Sequence, residues 1–337
     1  MYTEEDLDAA VQAGVIDAPA AERFRAFIAG QRSGALADEE HFRLVSSFND
    51  IFVVIASALL LVSIGFLVTA MAVPATGALA VAAVAWALAE SFTRRRRMAL
   101  PSIVLFLAFV GGLFAGVHGL LPDGGEPFSY GPAGLLAGVA AWFHWRRFGV
   151  PITVAGGAGV MVVALLSFLI WIFPAWREGL SGPVFVAGLL VFMLALRWDA
   201  SDLARRTRRS DVAFWLHLLA APLLVHPAFS GLGGEPQYGL SNLLVVLILY
   251  GAIAVLSLAL DRRALMVSAL GYVLYSLASL LKPDGSDGAS ATGFTFAAAL
   301  IGAALLLLSA YWHPARRHVL RYLPPGWLAR VPPAVER

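Results

Sequence analysis

The chain has no cysteine and a single lysine, Lys282. Without cysteine there can be no disulfide, no thiolate zinc site and no cysteine nucleophile. Charge of either sign is scarce too. Charged residues make up 14% of the 337, against about 25% in an ordinary soluble domain. No HExxH pair, phosphate-binding loop, dinucleotide fingerprint or serine-hydrolase elbow occurs in the sequence. What fills the chain is apolar: 59% of residues are hydrophobic, and the mean hydropathy is +0.78. So few polar residues cannot cover a water-facing surface, and lipid is the natural solvent.

Ten apolar runs follow one another, near residues 51–72, 75–92, 99–121, 128–145, 150–173, 181–198, 212–229, 238–260, 264–281 and 293–312. Trp142, Trp145, Trp171, Trp198 and Trp312 stand at their ends, as interfacial aromatics do. The sequence therefore predicts an all-α, polytopic membrane protein of about ten transmembrane helices. All but two of the 24 basic residues fall before the first run, at the end of or after the even-numbered runs, or in the tail; Arg177 and Lys282 are the exceptions. The positive-inside rule then places both termini in the cytoplasm, which requires an even number of spans. The opening MYTEEDLDAA lacks the features of a cleaved signal peptide, so the first run is expected to act as an uncleaved insertion signal. The expected location is a bacterial cytoplasmic (inner) membrane. Arginine in place of lysine fits a GC-rich bacterial genome.

Three regions are expected: an acidic cytoplasmic hairpin and linker over 1–48, a membrane domain over 49–313, and a basic tail over 314–337. In the first, Thr3 and Asp17 can cap two short helices, with Gly14 stopping the first and Pro19 in the first turn of the second. Leu7, Val11, Val15, Ile16, Phe24, Phe27 and Ile28 give these helices apolar faces. Up to Glu40 the segment holds nine acidic residues against three arginines. That balance repels phosphate and excludes nucleic acid as its partner. A protein partner, or self-association through 1–48, is the alternative. The pattern Leu7, Gly14, Ile16, Ala21 followed by many apolar runs resembles an uncharacterised family of bacterial polytopic membrane proteins with an N-terminal helical hairpin. That resemblance implies an architecture and no activity.

Two stretches repeat: VHGLLPDGGEPFSYG from Val117 and VHPAFSGLGGEPQYG from Val225. His118 and His226 are 108 residues apart, as are Tyr130 and Tyr238; Glu126 and Glu235 slip by one. Both stretches leave an odd-numbered run, so the copies share an orientation. This predicts a parallel internal repeat, with halves near 99–198 and 210–313, about an axis along the membrane normal. The shorter echo LLKPDGSDG from Leu280 suggests a two-helix hairpin as the unit. Each GGEP also reads simply as a turn, with Tyr as an interfacial anchor.

His118, Glu126, Tyr130, His226, Glu235 and Tyr238 are thus candidates for a polar site on the outer face. His217 and Asn242 are candidate polar groups within the membrane. An ionisable group at depth is a functional hypothesis, although a neutral histidine can also hydrogen-bond across to a neighbouring helix. Asp50 reads as a partner for the first run's dipole, and Glu90 as an i,i+4 partner of Arg94. The glycines of AGGAGV, from Ala155, and the pairs Gly112/Gly116 and Gly134/Gly138 read as close helix contacts. No catalytic residue, metal ligand or cofactor is assigned. The expected role is a non-enzymatic membrane scaffold or envelope-associated factor that contacts lipid and protein. A transporter or lipid translocase built on the repeat is the alternative, and a lipid-acting enzyme at the outer face the weaker one.

Overall fold

The structure, a computed structural model, describes residues 4–26, 48–121, 128–203, 205, 207–230, 240–280, 291–328 and 331–332. Two compact units divide the chain: Met1–Phe42 with Val335–Arg337, and Arg43–Ala334.

The first unit begins with α1 (Glu4–Gln12). Gly14 takes φ +69°. Its N–H bonds Val11 O at 3.1 Å and that of Val15 bonds Ala10 O at 3.0 Å. These two bonds make a Schellman stop, which needs a residue tolerant of left-handed backbone. A second helix, α2, is described over residues 18–26. Asp17 caps it: Oδ1 accepts the Ala20 N–H at 3.0 Å. Leu7 and Ala21 are buried. The expected cap Thr3, and Phe27 and Ile28, lie outside the described residues.

In the second unit every apolar run coincides with a helix: α3 (Phe48–Met71), α4 (Pro74–Ala89), α5 (Ala99–Leu120), α6 (Tyr130–Phe148), α7 (Ile152–Ile172), α8 (Ser181–Ala200), α9 (Arg208–Ser230), α10 (Leu240–Leu260), α11 (Ala264–Leu280) and α12 (Ala291–Ala310). Among the described residues there is no strand. Six of these segments are long and apolar enough to cross a membrane: α3, α4 with its π-helical continuation to Arg95, α5, α7, α8 and α9. A seventh qualifies if Thr295–Ala310 is joined, across a 71° bend, to α13 (Trp312–Leu320). The protein is an α-helical, multi-pass membrane protein. Its outward side chains are those that lipid favours, such as Phe52, Leu59, Val62 and Phe66 on α3.

The interior is built on small residues. The closest-packed helix pairs are α8 with α9, α4 with α5 and α6 with α7. A Cβ at Gly112 on α5 would stand 2.7 Å from Ala78 O on α4, and one at Gly134 on α6 would stand 2.6 Å from Val160 O on α7. Gly116 lies against Leu79 and the Ala75 carbonyl of α4, and Gly138 against the Met161 side chain of α7. These small-xxx-small pairs are therefore filled internally. In AGGAGV, Gly156 lies against Phe106 and Gly157 against Ala141, so this stretch is packing surface. Such close approach gains dispersion contacts where lipid offers no hydrophobic drive.

Hydrogen bonds gather the C-terminal ends of α4, α6, α8, α10 and α12 on one side. Arg147, at the end of α6, donates to Glu90, after α4, from Nε at 2.7 Å and Nη2 at 3.1 Å. Arg208, opening α9, donates to Gly149 O past the end of α6 at 3.5 Å. Asp199, near the end of α8, accepts from Arg262 just after α10. Asp261 accepts from Trp312 just after α12. The arginines crowd this side.

Candidate functional site

Two ion clusters on the arginine-rich side hold most of the buried charge among the described residues. The first centres on Asp199. It lies one residue before the end of α8, where Trp198 and Asp199 close an otherwise apolar helix. Its Oδ2 is 2.7 Å from His217 Nε2 on α9. Its Oδ1 accepts Arg262 Nη2 at 2.5 Å, and Arg262 Nε reaches Oδ2 at 3.4 Å. The two-nitrogen approach uses the guanidinium fork against a planar carboxylate. Arg262 Nη2 also donates to Ser210 O at 3.2 Å, at the start of α9. Behind it, Ser257 Oγ donates to the Arg262 carbonyl. His217 is 0% exposed, Arg262 2% and Asp199 5%. Charges removed this far from water persist only when paired and hydrogen-bonded: Asp199 and Arg262 are paired with each other, and His217 is hydrogen-bonded to Asp199.

The histidine geometry fixes a tautomer. Nε2 faces the carboxylate and so carries the proton; Nδ1 is buried with no hydrogen-bond partner. The Phe192 ring meets the imidazole edge-on at 5.4 Å. Among the described residues no hydrogen bond therefore continues from Nδ1. α9 runs on as one helix through Pro222 and Pro227.

The second cluster centres on Asp261, in the link from α10 to α11. Arg205 Nη1 donates to its Oδ2 at 3.0 Å. Arg205 Nη2 reaches the carbonyls of Leu260 at 3.2 Å and Asp261 at 3.1 Å, placing a cation on the unpaired carbonyls at the end of α10. Trp312 Nε1 donates to Asp261 Oδ1 at 2.7 Å, and Arg316 Nε lies 3.8 Å from the same oxygen. Arg316 is anchored in turn on Pro332 O at 2.5 Å. Burial pushes the Asp261 carboxyl up, but Arg205, the Trp312 N–H and Arg316 outweigh it and hold the group below its ordinary value.

Left-handed backbone marks the same side. Arg97, Gly149, Arg205 and Asp261 have φ of 53°, 63°, 51° and 56°. They follow α4 with its π-helical turn, α6, α8 and α10 in order, one in each link. A glycine takes this conformation freely. For arginine it costs on the order of 1–2 kcal/mol.

The sequence-named residues meet different fates. His118 and Tyr130 come together, with ring centroids 4.5 Å apart and nearly parallel, and Phe114 extends the stack. His226 is exposed on α9. Glu126, Glu235, Tyr238 and the side chain of Asn242 lie outside the described residues. His217 does hydrogen-bond across to a neighbouring helix. Glu90 does reach Arg94, at 3.4 Å, but its shorter bonds go to Arg147. Asp50 sits in the first turn of α3 and is buried. Among the described residues no group of three His, Asp or Glu side chains could hold a metal. Asp199 and Arg262, the heart of the first cluster, were not candidates in the sequence. Their places beside span ends make them look like topology-setting charges.

No protein-family model matches the chain, and no curated protein or solved structure matches it significantly.

Proposed function

We propose that the protein is a ten-span, non-catalytic scaffold of the bacterial cytoplasmic membrane, with both termini in the cytoplasm. It acts through contacts of its membrane domain with lipid, and of residues 1–48 with a protein partner or a second copy. On this reading it is a member of the polytopic family its N-terminal pattern resembles.

The carrying observation is how the buried charge is spent. Asp199, His217 and Arg262 bind one another and fasten three helix ends. Meanwhile α4 closes on α5, and α6 on α7, through glycine and alanine. A transport path would need polar groups left facing a cavity. His217, an ionisable group inside α9, is instead bound to Asp199 at the end of α8. In the first unit Val15 is 76% exposed, an apolar surface suited to a partner.

A parallel repeat is supported by the backbone as well as the sequence. Arg97 and Arg205, both left-handed, are separated by the same 108 residues as His118 and His226. A shift of four helices also carries the Glu90–Arg147 pair of α4 and α6 onto the Asp199–Arg262 pair of α8 and α10. Each pair ties a carboxylate at one helix end to an arginine at the end of the second helix on.

Reconstitution into vesicles tests the reading. Proton flux and lipid scrambling should equal those of protein-free vesicles. Protein-dependent flux that disappears in Asp199→Asn or His217→Gln would overturn it in favour of a transporter or lipid translocase.

A further inference from the structure

A cleft of about 110 Å³ opens between α11 and α12 where α13 turns away. Met266 and Leu270 of α11 and Leu305 and Leu308 of α12 form its walls, with Trp312 at the end and Arg263 at the mouth. Trp312 is 3% exposed and pinned by its N–H to Asp261. The Arg263 guanidinium lies 4.8 Å over the Trp312 ring, a cation–π contact that aims it without neutralising it.

Arg263 is exposed and has no carboxylate partner among the described residues. The acid nearest in sequence, Asp261, already holds Arg205, Trp312 and Arg316. The cleft therefore joins an unpaired cation to an apolar trough. It does so on the arginine-rich side, where α13 leaves α12 at 71°. From Arg263 to Leu270 the trough follows two helical turns, about 10 Å.

We propose that this cleft binds one membrane phospholipid with an anionic headgroup, its phosphate on Arg263 and the upper part of one acyl chain along Leu270 and Leu305. Charge complementarity chooses the occupant: the lining holds one cation and no acid, and apart from Ser309 the walls are apolar. A basic pocket between helices at headgroup level suits such a lipid. The inference rests on the chain spanning a membrane. It is independent of whether the protein transports anything.

The test is lipid binding to the purified full-length protein, read by native mass spectrometry and by thermal stabilisation. Phosphatidylglycerol is expected to bind at one site and raise the melting temperature. Phosphatidylcholine should bind at least about fivefold more weakly, and glycerol phosphate should not compete. Arg263→Gln should weaken phosphatidylglycerol about fivefold. Arg317→Gln, another exposed arginine on the same side, should leave that site unchanged. Val267→Trp adds bulk at a cleft residue that is 66% exposed. It should block the lipid without changing charge or disturbing the interior, so it serves if Arg263→Gln proves unstable. The proposal is overturned if both variants bind phosphatidylglycerol like wild type, if phosphatidylcholine binds as tightly, or if glycerol phosphate competes fully. Flux in the vesicle assay would remove the scaffold reading and leave this site standing.

Discussion

Arg205 and Asp261 lie 56 residues apart in sequence, and their side chains meet at 3.0 Å. Both residues hold left-handed backbone, φ 51° and 56°. The ion pair joins the link after α8 to the link after α10, and the guanidinium also caps the α10 carbonyls. Unfavourable backbone is retained at Arg205 because the side chain it presents closes two helix ends at once.

Arg97 shares the backbone but not the bonds: no hydrogen bond of its side chain occurs among the described residues. Arg97→Gly is therefore expected to be neutral or to stabilise by up to about 1 kcal/mol, the left-handed penalty being removed and chain entropy lost. Arg205→Gly relieves the same strain but loses charged hydrogen bonds worth about 1.5–3 kcal/mol each, so it should destabilise. Chemical or thermal denaturation in one detergent reads the contrast. Equal effects would remove the capping role of Arg205.

Asp261 should make stability depend on acid pH in a definite direction. Its carboxyl is held below the ordinary value, near 3.8. The ionised group thus contributes stability fully above that value, and the contribution is lost as the pH falls through the lowered folded-state value. The melting-temperature gap between wild type and Asp261→Asn should be largest near neutrality and shrink below about pH 4. A gap that is constant down to pH 3 contradicts the assignment.

The Asp199 cluster should behave as a unit. Removing one partner of a buried pair typically costs about 3–5 kcal/mol, so Asp199→Ala should be severe. His217→Ala alone should be milder, because it leaves the Asp199–Arg262 pair in place. The double variant should cost less than the sum, with a coupling of about 0.5–3 kcal/mol. Additive effects would mean that the His217–Asp199 bond contributes nothing to stability.

Glycine substitutions separate packing from lipid exposure. Gly112→Leu puts a Cβ 2.7 Å from the Ala78 carbonyl, whereas Gly251 on α10 has nothing within 4 Å. The first should cost about 1–3 kcal/mol by overpacking. Gly251→Leu should fall within about 0.5 kcal/mol of wild type. Comparable losses at both would contradict the assignment of Gly112 to an internal interface.

Much of this architecture is legible in the sequence because it is set by local chemistry. Apolar runs become helices in lipid, since no other structure satisfies the backbone within one segment. Gly14 and Asp17 announce a stop and a start through their own conformational and hydrogen-bonding preferences. The clusters are legible only in part. His217 stands out because it is a lone ionisable group inside a span, but Asp199 and Arg262 look like ordinary span-end charges. Their pairing spans 63 residues and depends on which helices become neighbours. Glu90 shows the same limit: its partner one turn away is visible in the sequence, while Arg147, 57 residues on, is not. Left-handed backbone at Arg97 and Arg205 has no local signal, because arginine has no preference for it.

The most direct test of the ten-span arrangement is cysteine accessibility, for which this cysteine-free chain is already the background. Arg95→Cys, Arg209→Cys and Arg263→Cys report the arginine-rich side at exposed positions, and Glu178→Cys reports the link between α7 and α8. In intact spheroplasts a membrane-impermeant maleimide should label Glu178→Cys alone. The other three should react only after the membrane is permeabilised. Labelling of any arginine-side position from outside, or protection of Glu178→Cys, would contradict the account.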